Sequence, residues 1–168
     1  QDGHANREPA GSPVAHRIAF ARDPEAGLLT LVSGLAPQRA QQALAWLHEA
    51  FLAQIDPVDL RLRFFGTRRQ LPRSEIARLT QIDYDREIAF IAVRSRPGEP
   101  DQTLGVARAA IDPDNVEAEF AIIVRSDLKG RGLGHLLLNR TVDVLRTRGT
   151  RRMVADVLPE NDAMKDLA

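Results

Sequence analysis

A short glycine-rich segment, SDLKGRGLGHLLLN at residues 126–139, carries the clearest chemical signal in the chain. Glycines alternate there with other residues just before an apolar run: Lys129, Gly130, Arg131, Gly132, Leu133 and Gly134. Such a loop leaves backbone N–H groups without partners, and the helix that follows carries about half a positive charge at its N-terminus. Glycines also allow a ligand to approach where a Cβ atom would collide. The segment therefore predicts a site for an anion such as a pyrophosphate.

Two familiar phosphate-binding motifs do not fit this segment. A P-loop has Lys and then Ser or Thr after its last glycine, whereas His135 and Leu136 follow Gly134 here. A dinucleotide fingerprint has G-x-G-x-x-G after the first strand of a βαβ unit. Here the third glycine comes one residue early, and the preceding strands are predicted to form an antiparallel meander. What remains is a strand, an amide-rich loop and a helix N-terminus.

Two carboxylates form the second chemical signal. Glu117 and Glu119 lie in the apolar stretch VEAEFAIIV, directly before the glycine-rich segment. Alternation along a strand places both on one face, while Phe120, Ile122 and Val124 point the other way. Carboxylates are unusual on a strand of this composition, and a carboxylate within reach of a substrate proton can act as a general base.

Hydrophobic periodicity predicts the elements that position these residues: an α/β (α+β) domain with a mixed, mostly antiparallel sheet flanked by helices. Short turns separate three apolar strands, which is typical of a meander. The helix after the glycines is expected to stop at Gly149, since glycine tolerates the left-handed conformation that ends helices. The predicted strands cover residues 87–93, 104–111, 116–124 and 152–158, and the helix covers residues 133–148.

The first third of the chain gives weaker signals. Residues 1–15 are polar and rich in Pro and Gly, and we expect them to be disordered. Residues 16–55 contain a weak strand signal and then an amphipathic helix at 37–55. In the next segment, Asp56-Pro57 indicates a helix start, whereas apolar residues alternate with arginines as in a strand. The segment can be a helix or a strand.

Composition limits the function classes. The chain has 168 residues, 43% of them hydrophobic and 27% charged, and no apolar run approaches the ~20 residues of a membrane span. Without cysteine there is no thiol nucleophile, disulfide or Cys-based metal site, and the histidines show no metal spacing. A cytoplasmic location is expected. Residues 125–152 hold eight Lys or Arg against two Asp, which suits an anionic ligand. RNA binding is disfavoured because aromatic residues for base stacking are missing there.

The pattern Val124-x₄-Lys129-x₂-Gly132-x-Gly134, between an apolar strand and an apolar helix, resembles the acyl-CoA loop of the GNAT acetyltransferases. That family has Gln or Arg where this chain has Lys129. The resemblance covers residues 56–168, and residues 16–55 match it poorly. The segments DLRLRFF, LTQIDYDREIAFIAV and AEFAIIVRSDLKGRGLG are similar to the acetyltransferase domain of bacterial Pat-type protein lysine acetyltransferases. Compared with that family, the chain is expected to be C-terminally incomplete.

The resemblance implies a GNAT fold in which two central strands splay apart to admit the pantetheine arm of acetyl-CoA, with no metal. It implies that the backbone of Ile122, Ile123 and Val124 binds that arm. The loop residues 129–134 would hold the pyrophosphate, and Asn161 would be a further cofactor contact. Glu119 matches the family's general base, with Glu117 as the alternative.

The implied reaction is direct attack of a lysine ε-amine of a protein, such as an acyl-CoA synthetase, on the thioester. A small-molecule amine as acceptor, or a non-catalytic acyl-CoA sensor, are the alternatives. Relatives often use a tyrosine after the asparagine as the acid, but the only tyrosine here is Tyr84. It is a candidate for the acid or for an acceptor contact, but a structural role at the start of the meander is the favoured interpretation. The oligomeric state is not predicted, and neither a nucleic acid nor a membrane is expected as a partner.

Overall fold

The structure is a computed structural model, and it describes residues 18–20, 28–32, 50–66, 74, 83 and 85–167. The predicted disordered segment 1–15, most of the predicted helix 37–55, and Tyr84 lie outside the described residues. The elements are β1 (Ile18–Phe20), β2 (Leu28–Val32), α1 (Pro57–Phe64), β3 (Glu87–Ser95), β4 (Gln102–Ile111), β5 (Glu117–Val124), α2 (Leu133–Arg148), β6 (Arg152–Val154) and α3 (Asp162–Lys165).

The described strands form one mixed sheet in the order β1-β2-β3-β4-β5-β6. Neighbours are antiparallel from β1 to β5, so the predicted meander of β3, β4 and β5 is confirmed. β6 then pairs with β5 in parallel after the crossover through α2. The predicted mixed, mostly antiparallel sheet is therefore correct.

Helices pack on both faces of the sheet, which explains why the central strands are apolar on both sides. On one face, α2 buries Leu133, Leu137, Leu138 and Leu145 against the strands. On the other face, α1 and the residues before it bury Phe51, Ile55 and Leu60 against β3 and β4. The two layers cover the central strands on both faces.

The predicted bounds of the helix after the glycine loop are confirmed. Its N-cap, Gly132, has a φ of 84°, and its C-cap, Gly149, has a φ of 82°. At the end of the helix, the amides of Gly149 and Thr150 donate to the carbonyls of Arg146 and Leu145, both at 3.0 Å. Left-handed backbone of this kind costs glycine little and other residues more.

Three other segments need comment. The stretch from Asp56 is a helix, because the Asp56 side chain accepts the Val58 amide at 2.8 Å and Pro57 occupies the first turn. β2, LLTLV, is a strand that the pattern analysis did not identify. β6 is shorter than its prediction of 152–158, because pairing with β5 ends at Val154. None of the described segments is a helix long and apolar enough to cross a bilayer.

Candidate functional site

β5 and β6, the last two strands in the order of the described sheet, part after three residue pairs. They pair only through Glu117–Arg152, Ala118–Met153 and Glu119–Val154. Beyond that point lies a cavity of about 540 Å³, walled by β5, the residues after β6, the glycine loop, α1 and α3. The splay expected from the family resemblance is therefore present, and it opens a cavity beside the predicted residues.

The edge of β5 presents backbone groups to this cavity. The backbone amide of Arg125 donates to the carbonyl of Leu104 at 2.9 Å, next to β5. Together with the register, this bond shows which residues of β5 bond to β4. In such a ladder alternate residues turn their backbone groups away from the partner strand. By this alternation, Ile122 and Val124 direct their N–H and C=O groups away from β4 and towards the gap between β5 and β6. Ile123 instead bonds to β4, so its contribution to the cavity wall is its side chain.

The glycine loop lies at the same cavity. Gly130, Gly132 and Gly134 are on its wall, and Gly130 and Gly132 have φ values of 70° and 84°. A Cβ added at either of these two would meet nothing within 4 Å, so space for a ligand adjoins the backbone. The first intrahelical bond runs from Leu136 to Gly132 at 3.0 Å, which leaves the earlier amides without helical partners. The loop suits a pyrophosphate.

Lys129 lies on the wall, but its charge is already engaged. Its ammonium group pairs with the carboxylate of Asp59 in the first turn of α1. We expected this lysine to add positive charge around the pyrophosphate, and the structure shows that it also joins the loop to a helix. The partner could not be anticipated because it lies 70 residues away in sequence.

Arg125, next to the loop, is also engaged. It donates to both carboxylate oxygens of Asp127, from Nε at 2.7 Å and from Nη2 at 2.6 Å. This two-point hydrogen bond holds the pKa of Asp127 below its usual range and raises the pKa of Arg125. The pair braces the turn Ser126–Leu128 that leads into the glycines.

Two residues of the predicted loop site are not part of the cavity wall formed by the described residues. Arg131 is exposed on the loop. The side chain of Leu133 is 9% exposed and packs in the core under α2. Only the backbone amide of Leu133, at the start of the helix, remains in a position to serve an anion.

The two glutamates of β5 have different surroundings. Glu119 is exposed on the cavity wall, at the last residue pair before the strands part. Glu117 lies at the closed end, where its Oε2 accepts from Nε of Arg152 at 2.7 Å. Both carboxylates lie on the face away from α2, as alternation predicted. The arrangement brings only Glu119 together with the glycine loop.

Asn161 lies on the opposite wall of the cavity. Its side chain caps α3 by accepting the Met164 amide at 3.2 Å, so its position is fixed by the helix it starts. This bond uses the carbonyl oxygen of the side chain and leaves its NH₂ group as a further donor.

A second set of wall residues was not predicted from the sequence. α1 and its end contribute Asp59, Leu62, Arg63 and Phe65, and the residues after β6 contribute Asp156. Phe65 is 53% exposed and has a φ of 55°, which is unusual for an aromatic residue. The alternation in DLRLRFF signalled an unusual segment, but it did not show which residues face the cavity.

Comparison with known proteins now identifies the family. The model of the GNAT family of acetyltransferases matches residues 56–168. The chain belongs to the GNAT acetyltransferase family. Members of this family use acetyl-CoA, which agrees with a cavity that joins an amide-rich loop to an unpaired strand edge.

Individual relatives agree with this assignment. An acetyltransferase of Pseudomonas aeruginosa is 30% identical over 117 residues, which are 70% of this chain and 62% of that protein. The chain thus spans less than two thirds of this curated relative. Among solved structures, the GNAT domain of S. lividans PAT has a TM-score of 0.72 at 23% identity, over 90% of this chain and 84% of that one. Spermidine N-acetyltransferase from Vibrio cholerae, solved with CoA and spermine, has a TM-score of 0.59 at 22% identity, over 83% and 76%.

Proposed function

We propose that this GNAT domain transfers an acetyl group from acetyl-CoA to a lysine ε-amine of a protein, with Glu119 as general base. The observation that carries the proposal is the position of Glu119. It lies on the wall of one cavity with the glycine loop and with the cleft-facing backbone of Ile122 and Val124. A base, a loop for the pyrophosphate and a strand edge for an amide-containing arm are thus aligned along a single opening.

Each group has a defined part in the transfer. The amides at the start of α2 hold the pyrophosphate, and the edge of β5 hydrogen-bonds the pantetheine amides. Acetyl-CoA supplies the thioester that the amine attacks. The amine nitrogen bonds to the acetyl carbon, the C–S bond breaks, and the electron pair leaves with the thiolate. Glu119 accepts the proton that the amine loses, directly or through one water.

The base is needed because of the acceptor's chemistry. A lysine amine has a reference pKa near 10.4, so only about one in a few thousand is neutral at pH 7. Proton removal by a positioned side chain contributes roughly 10²–10⁴-fold to such a step. Glu117 is the weaker candidate, because its carboxylate is held by Arg152 outside the cavity.

The choice of a protein lysine is supported by the resemblance to Pat-type domains in three separate segments. Carboxylates on the wall, Glu119 and Asp156, are also suited to a cationic acceptor. The second candidate acceptor is a small polyamine, because the fold is shared with a spermidine acetyltransferase. An acyl-CoA synthetase is the class of protein acceptor that the resemblance favours.

The test is an acetyl-transfer assay with isotopically labelled acetyl-CoA against a proteome extract, with modified sites located by mass spectrometry. A panel of free polyamines is assayed in parallel. We expect labelled protein lysines with the wild-type chain and about 100-fold slower labelling with Glu119→Gln. Acetylation of the polyamines alone would contradict the protein-lysine proposal. Tight CoA binding without transfer to any amine would instead support the acyl-CoA sensor.

A further inference from the structure

Asp59 occupies an unusual place between the two halves of the site. It lies in the first turn of α1, and its side chain is only 12% exposed. One carboxylate oxygen accepts the hydroxyl of Ser126 at 2.6 Å, and the other pairs with the ammonium of Lys129. Both partners belong to the segment that leads into the glycine loop. A single carboxylate therefore ties α1 to that loop.

Ser126 strengthens the connection. Its hydroxyl donates to Asp59 and also accepts the backbone amide of Asp56 at 2.9 Å. Asp56 in turn caps α1 through the amide of Val58 at 2.8 Å. The start of α1 and the turn before the glycines are thus joined by several bonds, although about 70 residues separate them in sequence.

The C-terminal end of α1 also lies on the wall of the cavity. Leu62, Arg63 and Phe65 are on its wall, and Arg61 bonds Glu160, beside Asn161, at 2.5 Å. α1 is only eight residues long, so a displacement of its first turn moves these side chains with it. The helix connects the loop that would hold the pyrophosphate to a stretch of wall that neither the loop nor β5 forms. If the loop and the edge of β5 hold the cofactor, that stretch is left for the acceptor.

We propose that Asp59 is a positioning residue that couples the cofactor loop to the acceptor side of the cavity through Ser126 and Lys129. Lys129 acts by binding Asp59, not by binding the pyrophosphate. The loop amides hold the anion, and the ion pair sets the position of α1 relative to them. The inference rests on the proposed acetyl-CoA site, but not on the identity of the acceptor.

Two roles of Lys129 make opposite predictions. If Lys129 were a phosphate ligand, Asp59 would compete for its charge, so Asp59→Asn would tighten CoA binding. If the pair of Asp59 and Lys129 positions α1, loss of either residue raises the KM for the acceptor. Residues that act through one contact also give non-additive effects when both are changed.

The test compares Asp59→Asn, Lys129→Gln and the double variant in the full chain. CoA affinity is measured by calorimetry, and kcat and KM are measured with a lysine-containing peptide found in the proteome assay. We expect each single change to raise the peptide KM by roughly fivefold or more, with CoA affinity little changed. The double variant should be no worse than the poorer single one, and Lys129→Arg should restore the KM.

Arg146→Gln is the control, because it removes an exposed cation of α2 that is not on the cavity wall and not in the glycine loop. We expect it to leave the peptide KM unchanged. A tenfold loss of CoA affinity in Lys129→Gln, together with tighter binding in Asp59→Asn, would overturn the proposal and make Lys129 a phosphate ligand.

Failure of the proposed function can be distinguished from failure of this inference. If the wild-type chain binds CoA but acetylates no amine, no peptide KM can be measured. The variants are then compared by hydrogen exchange of the α1 amides. Asp59→Asn and Lys129→Gln should then both speed exchange in α1, in the CoA complex as well, while Arg146→Gln should not. Unchanged exchange in α1 in both variants would refute the coupling.

Discussion

Glu117 and Glu119 lie two residues apart on one face of β5, and their neighbours separate their roles. Arg152 of β6 binds Glu117 at the closed end of the sheet, where the two strands still pair. Glu119 follows at the point where the pairing ends, so its carboxylate borders the cavity. A shift of two residues along β5 thus separates a glutamate in an ion pair from a glutamate that is a candidate base. The ladder between β5 and β6 creates the difference, and neither side chain does so alone.

Glu119→Gln tests the base directly. Glutamine keeps the shape of the side chain but cannot accept the proton, so we expect kcat to fall by about 100-fold with CoA affinity nearly unchanged. The deficit should shrink as the pH approaches about 10, because more acceptor amine is then already neutral. Steady-state kinetics from pH 7 to 10 and calorimetry with CoA measure both effects.

Glu117→Gln is the matched control for this experiment. It removes the same charge from the same face of β5, but at a position bound by Arg152 outside the cavity. We expect a change in kcat of less than about threefold, since no transition-state contact is lost. A larger loss of kcat in Glu117→Gln than in Glu119→Gln would exchange the two roles.

At the scale of elements, the glycine loop depends on backbone conformation as much as on space. Gly132 has a φ of 84°, whereas Gly134 lies inside α2 with ordinary helical geometry. A Cβ at Gly134 would meet Leu167 at 3.4 Å, an ordinary contact. The two glycines are therefore needed for different reasons, and matched alanine variants separate those reasons.

We expect Gly132→Ala to lower the free energy of unfolding by about 1–2 kcal/mol, because alanine is strained at a left-handed φ. Gly134→Ala should be neutral or stabilising by about 0.5–1 kcal/mol, because alanine favours a helix over glycine. Urea titration measures both. CoA affinity should fall in both variants if their backbones adjoin the pyrophosphate. Equal stability of the two variants would contradict the conformational argument.

How well an element could be predicted depends on where its determinants lie. The helix Leu133–Arg148 was predicted with its correct bounds because local signals, Gly132 and Gly149, fix both ends. The length of β6 was overestimated because a strand ends where its partner diverges, and the divergence of β5 is a property of the sheet. α1 stayed open between helix and strand because alternation of leucine with arginine opposed the Asp56-Pro57 start signal.

The same reasoning applies to the site. The proximity of Glu119 to the loop glycines could be predicted because they lie within 16 residues of each other in one strand–loop–helix unit. The partner of Lys129 could not, because Asp59 reaches it only through the packing of α1 against β5. The exposure of Phe65 and the position of Asp156 on the wall also depend on distant elements.

For the whole molecule, the sheet divides into a closed part and an open part. β3, β4 and the β4-facing side of β5 form a continuous ladder, covered by helices on both faces. On its other side, β5 has β6 as a partner only up to Glu119. The register predicts that successive amides of β5 alternate between hydrogen bonds to β4 and exposure to the cavity. The amide of Ile123 belongs to the ladder, and those of Ile122 and Val124 belong to the cleft.

This division can be measured by residue-resolved amide exchange with and without CoA. Without CoA, we expect Ile122 and Val124 to exchange faster than Ile123, because only Ile123 donates to β4. CoA should slow the exchange of the amides at the start of α2 and of at least one of Ile122 and Val124, while the ladder between β3 and β4 changes little. The Glu119→Gln variant should show the same pattern, since its binding groups are intact. Protection of the glycine loop without any protection at Ile122 or Val124 would show that the pantetheine arm does not use the edge of β5.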